Sequence, residues 1–450
     1  MKMRNRFFLF ILAIWMISIG AVTDSWAQTQ GQSSEQSAQT APQPPAQGAA
    51  TPAPAATPAA PAPAVSPAPA APASPPAVTQ QPAASPQAPA KAEQKKPKNL
   101  AEAIQFGIEG GILKADAAPG YLGIPGAPST SLILAFLWAV WVGWIFSTVG
   151  AFGGIMAGVG HITVFGLGDY ARSFKQTSPY LNKLVTDSIR VSNQYLVGLS
   201  AAISTLNYYK MGRIVLPLGI ALGIGSVFGA TAIPWLTAGK IKFTQYQGYF
   251  GLIVFVLGGF LIYEMTPTGA KSKQAAKAAA KAFEQSIKEK KTEAEIAAMG
   301  VKVNSFSLTQ VSFSFFGVQF KFNPIWPFIG GIVISAISSF IGVGGGFLYV
   351  PFLTSVTGLP MYIVAGTSAL TVLISMVTSI FNYMMAGALV SWSLVGVEML
   401  GIFAGSVVGP KTSKYIPEKG LKVLFIILAI YTGLGYFSKG FFGKSWVPGI

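Results

Sequence analysis

Apolar residues run through the second two-thirds of this chain in long unbroken blocks rather than alternating with polar ones. Blocks of about twenty such residues are the length a helix needs to cross the hydrocarbon of a bilayer. The pattern predicts spans at 191–207, 214–236 and 247–264, and again at 364–386, 390–409 and 421–437. Each triplet follows an apolar stretch of awkward length, 131–167 and 327–360, longer than one span and shorter than two. Both stretches are interrupted by glycine: Gly150, Gly153 and Gly154 in the first, Gly342, Gly344, Gly345 and Gly346 in the second. Glycine weakens a helix interior by roughly 1 kcal/mol relative to alanine. Opened backbone at membrane depth is tolerated only where protein buries it or a watery cavity receives it. Two helix–break–helix hairpins are therefore expected, and the breaks either line something polar or let helices pack closely.

The halves also match in order. Val149–Gly154 parallels Ile341–Gly346, Ser192-Asn193-Gln194 parallels Thr367-Ser368, and Asn207-Tyr208 parallels Asn382-Tyr383. Gly225-Ser226-Val227-Phe228-Gly229 then parallels Gly405-Ser406-Val407-Val408-Gly409. The expected fold is an all-α membrane protein of two repeated halves, inverted relative to each other. Each half is a glycine-broken hairpin plus three spanning helices, with a small α+β cytoplasmic insert between them. Inversion follows if each hairpin returns to its starting side, because three spans then leave each half odd in crossings. Paired glycine-interrupted segments in matching places of two halves point to a transporter site.

Outside the spans the pattern changes character. Residues 1–27 read as a signal peptide, with Lys2, Arg4 and Arg6 before an apolar core and Ser25-Trp26-Ala27 as the cleavage site. Residues 28–98 form a Pro/Ala-rich spacer without the apolar content to fold. Residues 99–130 are expected as a periplasmic amphipathic segment, since Leu100, Ile104, Ile108 and Ile112 recur every fourth position. Membrane repeats occupy 131–264 and 326–437, followed by a tail at 438–450. The insert, 265–325, begins with an Ala/Lys/Glu-rich helix. It continues with strand alternation at Val311, Phe313 and Phe315, then Phe316, Val318, Phe320 and Phe322. The slip at Phe315-Phe316-Gly317 predicts the turn of a β-hairpin. Lys210, Arg213, Lys411, Lys414, Lys419 and the basic stretch after Tyr263 assign their side to the cytoplasm. Loop 169–190, with Arg172, Lys175, Lys183 and Arg190, would then lie outside, against the rule.

Composition narrows the chemistry. Of 450 residues 51% are apolar and 10% charged, as in a membrane protein. With no cysteine, disulfides and thiol catalysis are excluded. A single histidine argues against a zinc or haem site, and no cofactor is expected. The net charge of +16 sits mostly in loops and in 271–302, where it suits anionic membrane lipid better than nucleic acid, for which no motif is present.

The run Gly342-Val343-Gly344-Gly345-Gly346-Phe347-Leu348-Tyr349-Val350-Pro351 resembles the signature of the TauE/SafE sulfite exporter family of permeases. So do Ala365-Gly366-Thr367-Ser368-Ala369 and the duplicated layout over 131–437. The resemblance implies a multi-pass permease of the bacterial inner membrane that moves sulfite, thiosulfate, sulfoacetate and related organosulfonates, using the proton gradient. The first half departs from it: Phe152 stands where Gly344 stands, and no proline follows at the matching place. The spacer, the insert and the stretch around Gly166-Leu167-Gly168-Asp169-Tyr170 are not general features of that family.

Such an anion needs N–H and O–H donors. The seven glycines can present bare backbone N–H groups. Thr367, Ser368, Ser192 and Asn193 would add side-chain donors at facing helix starts, or serve as ordinary caps. Asn207 and Asn382 would either reach the solute or join helices. His161 and Glu398 are candidates for proton coupling; the alternatives are a neutral histidine on a carbonyl and a carboxylate in a salt bridge. No catalytic group is expected, since no nucleophile–base pair is present. Two functions stay open: secondary transport of a small anion, and a membrane-anchored scaffold or sensor with an outward spacer. A homo-oligomer is compatible with either.

Overall fold

The computed structural model describes residues 97, 99–149, 153–266, 274–289, 292–412, 418–448 and 450. The expected signal peptide, the spacer except Pro97, and Gly150 lie outside the described residues. Helix α1 (Leu100–Glu109) is N-capped by Asn99, whose side chain accepts the Glu102 N–H at 2.8 Å. The chain then folds back on itself through a Pro119–Pro125 bridge and a tight turn at Tyr121–Gly123.

The first half comprises α2 (Leu132–Val149), α3 (Gly153–Val159) continuing as a π-turn at Gly160–Val164, α4 (Leu167–Ser173), α5 (Pro179–Lys210), α6 (Leu216–Thr237) and α7 (Phe243–Met265). The insert holds α8 (Gln274–Lys288) and α9 (Glu293–Ala298). Its sheet is antiparallel, in the order β1 (Lys302–Phe306), β2 (Val311–Phe315), β3 (Val318–Phe322). The second half comprises α10 (Ile325–Ile341), α11 (Gly346–Pro351) with a π-turn at Phe352–Val356, α12 (Met361–Met385), α13 (Trp392–Thr412) and α14 (Glu418–Phe442). Among the described residues four helices are long and apolar enough to cross a membrane: α6, Phe243–Tyr263 of α7, α12 and α13.

Contacts between helices set their directions. Val215 meets Thr367, Gly219 meets Leu370, Gly223 meets Ile374 and Thr237 meets Tyr383, so α6 and α12 run parallel. Tyr208 meets Gly366, Gly198 meets Met376 and Arg190 meets Tyr383, so α5 runs antiparallel to both. One end of the bundle therefore carries Arg213 and Tyr362, the other Asp187, Gly239 and Tyr383. Helix α2 packs parallel to α13, with Phe136 on Gly401, Val140 on Gly405 and Ser147 on Gly409. Helix α10 packs parallel to α6, with Phe328 on Gly225 and Ile332 on Gly229. Thus α2 enters from the Asp187 end and α10 from the Arg213 end. Each return arm doubles back along its own first arm: Gly153 lies against Phe146 and Gly160 against Trp138, and Phe352 lies against Gly330. Each first arm nearly reaches the opposite end before the chain turns back: Ser147 meets Tyr208 and Gly409, and Gly342 meets Arg190.

Three expectations change. Loop 169–190 is largely helical, and the span expected from 191 starts at Pro179. Ser178 caps α5 there, proline occupies its first turn, and Arg190 and Asp187 pair one turn apart. Ser192-Asn193 and Thr367-Ser368 accordingly lie inside helices, not at their starts. The insert has a third strand, β1, exposed along its whole length and so without the alternation that would reveal it. The expected turn is present: Phe316 and Gly317 both have positive φ, 48° and 79°, as a two-residue hairpin turn requires.

The insert docks at the Arg213 end. Val301 donates its N–H to the Gly212 carbonyl at 2.8 Å. The Arg213 guanidinium sits 4.5 Å from the Phe283 ring of α8, 5.7 Å from Tyr362 and 5.9 Å from Tyr208. Burial pulls its pKa down, countered in part by Tyr208 and Tyr362. Among the described residues no carboxylate pairs with it, so ring faces hold the cation. Phe283→Ala removes the nearest ring and the centre of the insert's aromatic cluster. It should cost about 3–5 kcal/mol, read as a lowered melting temperature of the detergent-solubilised protein.

Candidate functional site

The first return arm meets the break of the second hairpin beside Val197, near the middle of α5. Helix α10 ends at Gly342, whose φ of 77° no side chain adopts readily and whose N–H closes the helix on Ser338 O at 2.8 Å. Gly344 also has positive φ, 65°, and α11 begins at Gly346. Among the described residues the N–H groups of Gly344 and Gly345 meet no acceptor. A methyl group added to Gly154 would lie 1.7 Å from the Val343 carbonyl oxygen, and one on Gly344 would lie 2.2 Å from Val197 Cγ1. Gly154, Val343, Gly344 and Val197 thus touch without room for one more carbon. Val197 sits mid-way along α5, and Met376, beside Gly344, mid-way along α12.

Helix α5 carries the polar groups that surround these tips. Among the described residues, Ser192 Oγ, both amide atoms of Asn193, Gln194 Oε1 and Tyr195 OH are buried without an aligned hydrogen bond. Gln194 Nε2 donates weakly to Ser339 O at 3.4 Å, across to the second hairpin. Arg190 is fully buried and fully engaged. Its guanidinium donates to Phe340 O at 2.8 Å, Asp187 Oδ1 at 2.8 Å and Thr237 Oγ1 at 2.9 Å, and stacks on Phe340 and Tyr383. Asp187 takes the Gly239 N–H on its other oxygen at 2.6 Å. This network fastens the end of α10, immediately before the break, to α5 and to the α6–α7 loop. Arg190→Met leaves Asp187 buried without its partner, which should cost about 3–5 kcal/mol. The check is thermal unfolding, where Asp187→Asn/Arg190→Met should recover part of the loss.

His161 and Glu398, separate in sequence, are partners. His161 lies in the π-turn that ends the first return arm, and Glu398 in the middle of α13; both are buried. The imidazole Nε2 lies 3.2 Å from Glu398 Oε2, and Nδ1 lies 3.2 Å from the Ala157 carbonyl. A carbonyl can only accept, so Nδ1 carries a proton. Nε2 and Oε2 face each other in a buried setting, although neither makes an aligned hydrogen bond. Asn193 of α5 adjoins this imidazole.

The other expected residues lie towards the two ends of the bundle or beside the tips. Near the Arg213 end, Thr367 accepts the Val215 N–H at 3.1 Å and so joins α12 to α6, while Ser368 donates to Ala365 O at 3.1 Å within its own helix. Asn207 lies half-buried towards the Arg213 end of α5. Asn382, at the opposite end, accepts from Trp235 Nε1 at 2.8 Å and donates to Thr378 O at 2.8 Å. Gly153 packs on Phe146 beside the first tip, and Gly345 on Tyr349 and Ser338 beside the second. Arg190, Asp187, Gln194 and Tyr121 enter the surroundings of the site without having been expected there. The signal for Arg190 and Asp187 was available: opposite charges three residues apart on a helix neutralise each other.

The model of the sulfite exporter TauE/SafE family matches residues 134–436, about two-thirds of the chain. No curated protein and no solved structure matches it.

Proposed function

Because this chain belongs to the sulfite exporter TauE/SafE family of membrane transporters, we propose that it moves a small sulfur oxyanion through the meeting point of its two hairpins by alternating access. Sulfite, thiosulfate and organosulfonates are the substrate class. The observation that carries this reading is the contact of Gly154 with Val343, halfway through the bundle, beside N–H groups of Gly344 and Gly345 that meet no acceptor. Bare N–H dipoles in a setting closed to water suit a negative oxygen cluster. Ser192 Oγ, the Asn193 amide and Gln194 Oε1 add buried polar atoms without an aligned hydrogen bond on the adjoining helix.

The two halves act as inverted repeats. Helix α2 enters from one end and α10 from the other, and α5 and α12 run in opposite directions. Rocking one half against the other then exposes the meeting point to each side in turn. The Arg213 end faces the cytoplasm of a bacterial inner membrane, with Lys210, the insert and Lys411 gathered there. Residues before α2 face outward. His161 and Glu398, facing each other in the buried interior, couple anion movement to the proton gradient.

The test is flux into proteoliposomes of sulfite, thiosulfate, taurine and sulfoacetate at two pH gradients. Saturable flux of at least one, faster with the gradient than without, is expected. No flux of any of the four through folded protein would overturn the reading.

A further inference from the structure

The segment ahead of the first hairpin, before the family match begins at residue 134, reaches into the bundle. Tyr121 is only 4% exposed. Its hydroxyl lies 2.8 Å from Ser188 Oγ, on the face of α5 one turn from Ser192, and the ring lies within the electrostatic reach of Glu398. The loop that carries it is built, not draped. Ile124 is fully buried, Leu113 and Ala127 nearly so, and the Tyr121 N–H donates to Pro128 O at 3.2 Å. A methyl group on Gly120 would lie 2.0 Å from the Ala127 carbonyl, so the two strands of the loop touch. Leu122 is held at φ 58°, a left-handed conformation a branched side chain adopts only when its surroundings impose it. That strain buys the inward placement of the neighbouring tyrosine.

We infer that residues 113–127 form a plug in which Tyr121 closes the Asp187 end of the anion path and offers it a phenolic O–H, so that solute passes that end only when the plug lifts. The inference rests on the transport reading for the path itself; the closure does not. A phenol suits an oxyanion because it donates one hydrogen bond and adds no charge. At the opposite end the insert occupies the corresponding place around Arg213, so both ends are covered by segments that the family match leaves out or that lie between its halves.

The chain has no cysteine, so a single Ser192→Cys variant can report access. A membrane-impermeant, negatively charged thiol reagent should label it slowly in the otherwise unaltered full chain. Adding Tyr121→Phe keeps the ring and removes one hydrogen bond, which should raise the rate about fivefold. Adding Tyr121→Ala, or replacing 113–127 by a glycine–serine linker, should raise it on the order of a hundredfold. A Thr371→Cys control, which lies beside Gly219 towards the Arg213 end, should stay slow in all of them. Equal labelling of Ser192→Cys with and without the tyrosine overturns the plug. So does a parallel rise at Thr371→Cys, which would mean that the whole bundle had loosened. If the unaltered protein carries none of the four anions while the labelling pattern holds, the transport reading fails and the closure stands.

Discussion

Gly154→Ala should abolish anion flux and destabilise the protein by about 3 kcal/mol, although alanine is the best helix former. The added carbon would occupy a point 1.7 Å from the Val343 carbonyl oxygen, well inside any van der Waals contact, and the atom it meets is backbone. Backbone cannot rotate away, so the hairpins must separate. Overpacking of this kind costs about 1–3 kcal/mol, and a displacement on the order of 1 Å at a binding centre can cost roughly a hundredfold in rate. Gly344→Ala meets a different obstacle. Its methyl would strike Val197 Cγ1, a side-chain atom, and it also bears the cost of a left-handed φ, about 1–2 kcal/mol. Val197→Ala should therefore rescue part of the Gly344→Ala defect and little of the Gly154→Ala defect. The double-mutant cycles are read from melting temperature and initial flux. Equal rescue of both would mean that the tips do not touch as described.

Glu398→Gln should leave the fold nearly intact and remove the dependence of flux on the pH gradient. The amide fills the same space and can donate to His161 Nε2, but it has no proton to exchange. Glu398→Ala should behave differently, because it strands a buried imidazole and should cost about 3–5 kcal/mol. The contrast separates a proton carrier from a structural ion pair. A structural pair would lose stability in both variants and keep its gradient dependence in whatever folded protein remained. His161→Gln beside Glu398→Gln tests the pair as a unit: two amides can bond to each other, so the double variant should be more stable than Glu398→Ala and blind to the gradient.

How much of this was legible in the sequence depends on whether the deciding interaction was local. The second break was readable because glycines at 342, 344, 345 and 346 inside an apolar block leave the backbone no reason to remain helical. The hairpin turn at Phe316-Gly317 was readable because the alternation changes phase there. The start of α5 was misplaced because Asp187, Arg190 and Lys183 resemble a solvated loop when counted singly, whereas Asp187 and Arg190 cancel across one helical turn. Ser192-Asn193 and Thr367-Ser368 resemble caps, but hydroxyls and amides are equally at home mid-helix when a neighbouring helix covers them. The partnership of His161 with Glu398 was beyond reach: each was recognisable as costly in a bilayer, and nothing in the intervening residues says that they meet. Tyr121 carries no local signal at all, since its meaning lies in Ser188, on another element.

The crossed packing of α2 on α13 and of α10 on α6 bears on how the molecule is made. The first helix of each half lies against the second full-length helix of the other half, and α2 in particular waits for a helix synthesised roughly 240 residues later. At ribosomal rates of about 5–20 residues per second, that is on the order of 10–50 s during which its glycine-fitted face has no mate. The nascent chain must spend that interval sheltered by lipid or by the insertion machinery. Two separately expressed halves should therefore need each other to escape proteolysis, and should recover when made together.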